Sequence, residues 1–318
     1  MDNLTHSFFA ATIGQTGLKK KSGLGMAALV IGANIPDIDA TCTLWGTQSL
    51  AMRRGLTHGP LGLLILPLLV TGLLLLLDRW QTRRGTRPVD RLPVHKGWLL
   101  ALSYIGTLTH PLLDWMNSYG VRLLEPFSSR WFYGDVLFII DLVLWILLIG
   151  GYFWSRRAEK RSTGNWRRRG GVIVASACAY ILVNGAITGA AEAQGYRLLH
   201  DHHFDAQEVV ANPVPLAFWK RHMLWRTRDG AYGQYAYDPL SSGGDAPVLR
   251  RDRYTGMDNP ALPAMIARDR DAQAFLFWSR LPLAQMQPDG TLILRDQRFL
   301  NAAAVSSFTV TIPPPRHP

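Results

Sequence analysis

The sequence predicts a mainly α-helical fold: a polytopic transmembrane helical bundle over residues 1–191, then a small α+β domain over 192–318. Three observations predict it. Segments 61–77, 97–113, 136–154 and 171–191 are almost free of charge and approach the roughly 20 residues that cross a bilayer core. Basic residues gather in the short connections between those segments. After 191 the apolar runs stop and Pro, Trp, Arg and Asp take over. With 48% hydrophobic residues and only 18% charged, a net charge of +11 marks membrane orientation rather than nucleic-acid binding, because the cations sit beside apolar spans.

Asp2 and His6 stand where a signal peptide would carry its basic n-region, so the first apolar segment, 4–18, is expected to stay in the protein. That segment and 23–35 are short, and predict short spans or re-entrant helices shielded by the others. Segment 34–39, Asn-Ile-Pro-Asp-Ile-Asp, places Asp37 and Asp39 two apart after a proline, in a turn that presents both toward one ion. Segment 53–59, Arg-Arg-Gly-Leu-Thr-His-Gly, puts His58 at a helix entry. The span at 97–113 runs into THPLLDWMNSYG at 109–120, where His110 and Asp114 are one helical turn apart on one face. Asp135 and Asp141 are expected about one and a half turns apart on the next helix, with Asn184 or a backbone donor as a structural partner of Asp141. Segment 171–191 is rich in the small residues that let membrane helices pack closely. Cys42 and Cys178, the only cysteines, provide neither a disulfide framework nor a zinc–thiolate pattern.

Within residues 1–191 the cations cluster in three connections: Lys19 to Lys21; Arg79, Arg83, Arg84, Arg87, Arg91 and Lys96; and Arg156, Arg157, Lys160, Arg161, Arg167, Arg168 and Arg169. The positive-inside rule assigns these to the cytoplasm. With alternating helix directions, His6, Asp37, Asp39, His58, His110, Asp114 and Asp135 then converge on the periplasmic face. Independent surface residues would scatter over both faces.

Two or three histidines with two or three aspartates form the nitrogen and oxygen donor set of a divalent metal, zinc first, with manganese and iron as alternatives. Such an ion acidifies a bound water and polarises a phosphoryl or carbonyl oxygen, so hydrolysis is the natural reaction class. His6, Asp37, His58, His110 and Asp114 are the candidate metal ligands, and Asp37 and Asp39 the candidate catalytic carboxylates. Asn34, Arg53, Arg54, Asn117, Asp135 and Asp141 are candidates for the surrounding shell or for holding a substrate phosphate. Each piece alone has a plainer reading: a local hydrogen bond for His110 and Asp114, a helix-ending turn for Asp37 and Asp39, a surface histidine for His6, and lipid headgroup contact for Arg53, Arg54 and Arg130.

MDNLTH at the start, NIPDID at 34–39, RRGLTHG at 53–59, THPLLDWMNSYG at 109–120 and WFYGD at 131–135 occur in an order that resembles the YdjM-like family of membrane-bound metal-dependent hydrolases, over about the first 190 residues. The resemblance implies an integral inner-membrane protein with a metal site on His6, Asp37, Asp39, His58, His110 and Asp114. It implies no particular substrate. A weaker similarity runs to zinc-dependent phospholipase C, in which an Asp, a His and an HxxxD pair follow one another as Asp37, His58, His110 and Asp114 do here. That enzyme's later HxxxE pair has no counterpart after Asp114, so one or two metals are expected rather than three.

In the C-terminal part, 230–237, 291–295 and 307–312 alternate in strand fashion and 263–278 reads as one amphipathic helix. Asp238-Pro239, Ser242-Gly243-Gly244-Asp245 and Pro288-Asp289-Gly290 are turn signals. His200, His202, His203 and Asp205 are either a second metal cluster or a polar helix end. The topology places this domain in the periplasm. The functional expectation is an inner-membrane metal hydrolase acting on a phosphoester or related bond of a lipid or lipid-linked substrate, without nucleic acid. The alternative is a non-enzymatic membrane protein, either a metal-ion transporter or an envelope assembly factor. A transporter would hold its ligands near mid-bilayer on broken helices.

Overall fold

The computed structural model describes residues 1–162, 164–241, 249–301 and 304–314, and is mainly helical with a small antiparallel β part. The chain divides into two compact units, Met1–Asp39 with Arg54–Gly185, and Ala40–Arg53 with Ala186–Pro318.

The first unit begins with α1 (Asn3–Gln15), whose N-terminus is capped by the Asp2 carboxylate accepting from the Leu4 and Thr5 amides. Next comes α2 (Gly25–Gly32), followed by a 3₁₀ run (Ile35–Gln48) interrupted at Trp45 and Gly46. The short α3 (Ser49–Met52) belongs to the second unit. α4 (Pro60–Arg83) starts on a proline at its first position, and Thr71 Oγ1 donates to the Pro67 carbonyl one turn above its internal proline. α5 (Lys96–Trp115) is entered through His95, whose side chain caps the Trp98 amide. α6 (Leu142–Trp145), a π turn (Ile146–Gly150) and α7 (Gly151–Lys160) run on without a break, and α8 (Trp166–Asp201) follows, its residues from Ala186 onward belonging to the second unit.

Two helices among the described residues, α4 and α8, are long and apolar enough to cross a membrane. α1 and α2, of 13 and 8 residues, rise roughly 20 and 12 Å, well short of a bilayer core. α5 has the length, but its buried face carries Ser103, Thr107, His110 and Asp114, which dilute its apolar character.

The helix expected over 136–154 begins only at Leu142. Asp135 has a positive φ of 52° and is buried, and the Val136 and Leu137 amides both donate to the Met116 carbonyl, tying this segment to the end of α5 as a loop. Asp141 is the N-cap of α6, not an interior position. Asp135 and Asp141 therefore do not share a helix, and the expectation that they did is corrected.

α2 lies against α5 at backbone contact. A Cβ on Gly106 would stand 2.3 Å from the Leu29 carbonyl oxygen, and one on Gly32 would stand 2.7 Å from that of Ser103. Small residues at the contact let the two backbones approach this closely. Leu29, Leu99, Leu102, Val70 and Leu74 fill the space around this contact. A second cluster joins Phe9, Leu113, Leu137, Leu144, Leu148 and Ile173.

The second unit holds two three-stranded antiparallel sheets, β1 (Ala206–Pro213), β2 (Arg221–Thr227) and β3 (Tyr232–Tyr237) in one, and β4 (Pro282–Met286), β5 (Leu292–Asp296) and β6 (Thr309–Ile312) in the other. β3, β5 and β6 occupy the three segments read as strands; β1, β2 and β4 carry no period-2 alternation. β1 is buried at five successive positions and β2 is closed on nearly every side, so neither shows an alternating pattern. The single helix expected over 263–278 is two, α9 (Leu262–Ile266) and α10 (Arg270–Trp278), because the Asp269 side chain caps the Ala272 amide and starts a new helix. Trp225 and Trp278 are core residues, 1% and 0% exposed. The turn signal at Ser242 to Asp245 lies outside the described residues.

Candidate metal centre

The close approach of α2 and α5 sets the first ligand. α2 ends at Ala33, whose carbonyl has no helical partner left to accept from, and His110 Nδ1 lies 2.6 Å from that oxygen. A carbonyl only accepts, so Nδ1 carries the proton and Nε2 presents its lone pair to the interior. One turn further along α5, Asp114 places its Oδ2 3.5 Å from that Nε2.

His58 is fixed by the same logic through side chains. Its Nδ1 lies 2.9 Å from Thr57 Oγ1 and 3.5 Å from Asp39 Oδ2, while Asp39 Oδ2 accepts from the Thr57 hydroxyl (2.8 Å) and the Arg54 amide (2.7 Å). The hydroxyl proton points to Asp39, so the Thr57 oxygen is free to accept from Nδ1–H. His58 Nε2 is thereby turned to Asp114 Oδ2, at 3.2 Å. Asp37 closes the group with Oδ1 3.6 Å from His110 Nε2.

One donor atom from each of Asp37, His58, His110 and Asp114 lies within 4.8 Å of all the others. His58, His110 and Asp114 are 0% exposed. Both inward-facing Nε2 atoms and Asp114 Oδ2 lack a hydrogen-bond partner, although burying such atoms unpaired costs about 1–3 kcal/mol each. Converging unpaired lone pairs of nitrogen and carboxylate oxygen are what a divalent cation requires, so the group could hold a metal ion. Asp114 Oδ2 is also 3.1 Å from Arg54 Nε, a distance of ion pairing without the alignment of a hydrogen bond, so the charge is compensated while the lone pair stays directed inward.

His6 stacks on His110, with ring centroids 3.8 Å apart and planes 16° from parallel. Its Nε2 is 3.4 Å from the other carboxylate oxygen of Asp114, and neither ring nitrogen has a hydrogen-bond partner. The Met1 amino group pairs with that same oxygen. Asp114 thus faces His58 and His110 with Oδ2 and His6 with Oδ1. Burial pushes the Asp37 carboxyl up, but the His110 imidazole beside it outweighs this and holds it down to about 2. Asp39 is likewise lowered, burial being opposed chiefly by His58.

The remaining candidates fall around the cluster unequally. Asp39, expected among the catalytic carboxylates, sits behind His58 on its Nδ1 side and orients that ring. Arg54 is buried and spoken for: it pairs with Asp114, donates from Nη1 to Asn117 Oδ1 (3.1 Å) and stacks on Tyr119 at 4.7 Å. It faces the cluster through Asp114, and its side chain is 4% exposed. Asn117 holds Arg54 and the Tyr119 amide. Asn34 ties α2 to α1 by donating to Ser7 Oγ (3.0 Å) and the Val30 carbonyl. Arg53 follows α3 as its C-cap in the second unit. Asp135 is buried in the loop after α5, and Asp141 accepts from the Leu144 amide and the Tyr180 hydroxyl, giving it a capping role with Tyr180 as its partner. His200, His202, His203 and Asp205 are exposed at and just beyond the end of α8, and no metal-sized grouping forms there among the described residues.

Thr57 and the Ala33 carbonyl are the functional groups that residue reading missed. Thr57 lies inside a quoted motif, and its neighbour Asp39 offered the signal. A backbone carbonyl offers none; the only hint was the glycine pair, Gly32 and Gly106, that brings it to His110.

No curated protein and no solved structure matches the chain. The sequence model of one family does, over residues 1–191, the stretch that carries every residue of the cluster, and the chain belongs to that family, the YdjM inner membrane proteins.

Proposed function

We propose that the protein is a multi-pass inner-membrane hydrolase that holds one or two divalent metal ions, zinc first, at its periplasmic face and cleaves a phosphoester or related bond in a lipid or lipid-linked substrate. The observation that carries this reading is the convergence of Asp37, His58, His110 and Asp114 donor atoms within 4.8 Å, with each histidine's outer nitrogen already committed elsewhere. Asp37, His58, His110 and Asp114 would hold the ion, with His6 reaching the second oxygen of Asp114. A divalent ion there supplies Lewis acidity toward a phosphoryl oxygen and toward water.

The chain's own residues supply orientation and charge balance. Ala33, Thr57 and Asp39 keep both imidazoles correctly turned. Arg54 offsets the charge of Asp114. Asp37, the least enclosed of the four, stands at the edge of the site. The site stands on the last turns of α5 rather than at its middle, which supports headgroup depth and favours hydrolysis of a lipid over ion passage.

Purified full-length protein assayed against short-chain phospholipids and lipid phosphates should release phosphate or phosphorylated headgroup, and His110→Ala and Asp114→Ala should lose that activity at least 100-fold. Full activity in both variants refutes the reading. Metal flux in proteoliposomes without hydrolysis of any phosphoester would move the assignment to a transporter.

A further inference from the structure

At the far end of α5 from the metal centre, roughly 20 Å along the helix from His110 to Lys96, a cavity of about 400 Å³ opens between the 19–27 segment, Leu92 and α7. We propose that this cavity binds the phosphate group of an anionic headgroup, a second site distinct from the metal centre. Four cations line it, Lys19, Lys20, Arg91 and Arg156, against one carboxylate, Glu159. Glu159 engages Lys19 (2.5 Å) and Arg156 (2.8 Å), and Asp78, outside the lining, holds Arg91 at 2.9 Å. Counting both carboxylates, two positive charges remain in excess. Lys20, 3.8 Å from Glu159 and half exposed, carries much of that excess to the cavity mouth.

The walls are fixed rather than adaptable. The Gly23 amide donates to the Pro93 carbonyl at 2.9 Å, and a Cβ on Gly23 would stand 2.2 Å from the Leu92 carbonyl oxygen. α2 starts at this cavity with no side-chain cap, so its N-terminal dipole adds to the same sign of potential. Around it, cations lie over indole rings: Lys21 over Trp98 (5.1 Å), Lys19 over Trp166 (5.2 Å) and Arg169 over Trp154 (4.6 Å). Trp paired with Lys and Arg is the signature of the headgroup layer, and basic cavities between helices at that depth suit phosphate-bearing lipids.

The test uses full-length protein in detergent and native mass spectrometry, with phosphatidylglycerol and phosphatidylethanolamine offered at equal concentration. The wild type is expected to retain phosphatidylglycerol about tenfold better. Lys20→Gln with Arg156→Gln should lower that retention about tenfold, roughly 1.4 kcal/mol, while Arg83→Gln with Arg168→Gln, an equal charge change at exposed positions that do not line the cavity, should leave it unchanged. Displacement by millimolar inorganic phosphate would identify free phosphate as a sufficient ligand. Displacement by dihexanoyl phosphatidic acid alone would assign the site to lipid. Equal retention of both lipids by the wild type, or equal loss in the two double variants, overturns the proposal.

Discussion

Gly106→Ala should damage the candidate metal centre from a position that offers it no donor atom. The new Cβ would stand 2.3 Å from the Leu29 carbonyl oxygen and 3.0 Å from the Ala33 amide nitrogen, where ordinary contact begins at 3.4 Å. Both are backbone atoms, so no rotamer change relieves the clash, and α2 must move from α5 by about 1 Å. The hydrogen bond from His110 Nδ1 to Ala33 then stretches from 2.6 Å to about 3.6 Å, beyond bonding range. Overpacking of this kind costs about 1–3 kcal/mol, and loss of an outer partner of a metal-bound histidine weakens affinity roughly 10- to 100-fold. Zinc competition with a fluorescent chelator, alongside thermal unfolding, reads both effects. Gly72→Ala on α4, whose Cβ would meet nothing within 4 Å, is the control and should match the wild type. A Gly106→Ala protein with wild-type zinc affinity would refute the argument that this helix contact sets the histidine.

Other perturbations separate the roles assigned above. Asp39→Asn should lower zinc affinity roughly 10- to 100-fold while leaving the stoichiometry unchanged, because the carboxylate orients His58 rather than binding the ion; loss of a whole equivalent of metal would contradict that role. In the second unit, burial pushes the Asp296 carboxyl up, but the Arg298 guanidinium and the Ser279 hydroxyl outweigh it and hold it below its ordinary 3.8. A carboxyl lowered on folding contributes stability that is present above 3.8 and is lost as pH falls through the lowered folded value. Thermal melts of the full chain should therefore show an acid-sensitive contribution that Asp296→Asn removes; identical pH profiles would sink it. Trp278→Ala, which empties a buried position stacked on Phe308 at 4.9 Å, should destabilise by about 3–5 kcal/mol, read as an early unfolding step in calorimetry.

The parts of this protein that were legible in sequence are those whose physics is local. α4 and α8 announce themselves by uninterrupted apolar runs, and the His110–Asp114 pair by helical spacing. Loop charge leads to the expectation that Asp37 and His58 gather with the end of α5, and the structure does group them with His110 and Asp114. What could not be read depends on tertiary geometry. Asp39 differs from Asp37 only in which way a 3₁₀ turn points it, and Arg54 looked like a substrate clamp because sequence does not show that Asp114 lies 3.1 Å away. The helix starts later than the apolar run because residues 136–140 suit a loop anchored by the buried Leu137 as well as a span, and the positive φ of Asp135 carries no sequence mark. β1 and β2 went unread since strands buried on both faces lose the alternation that reveals them.

The central claim is that Asp37, His58, His110 and Asp114 hold a metal ion. Elemental analysis of the full-length protein, purified in buffer containing zinc and dialysed free of excess, tests it most directly. The account predicts one or two divalent ions per wild-type chain and none tightly held once His58→Ala and His110→Ala are combined. A wild type that emerges metal-free, or a double variant that keeps its full complement, would contradict it.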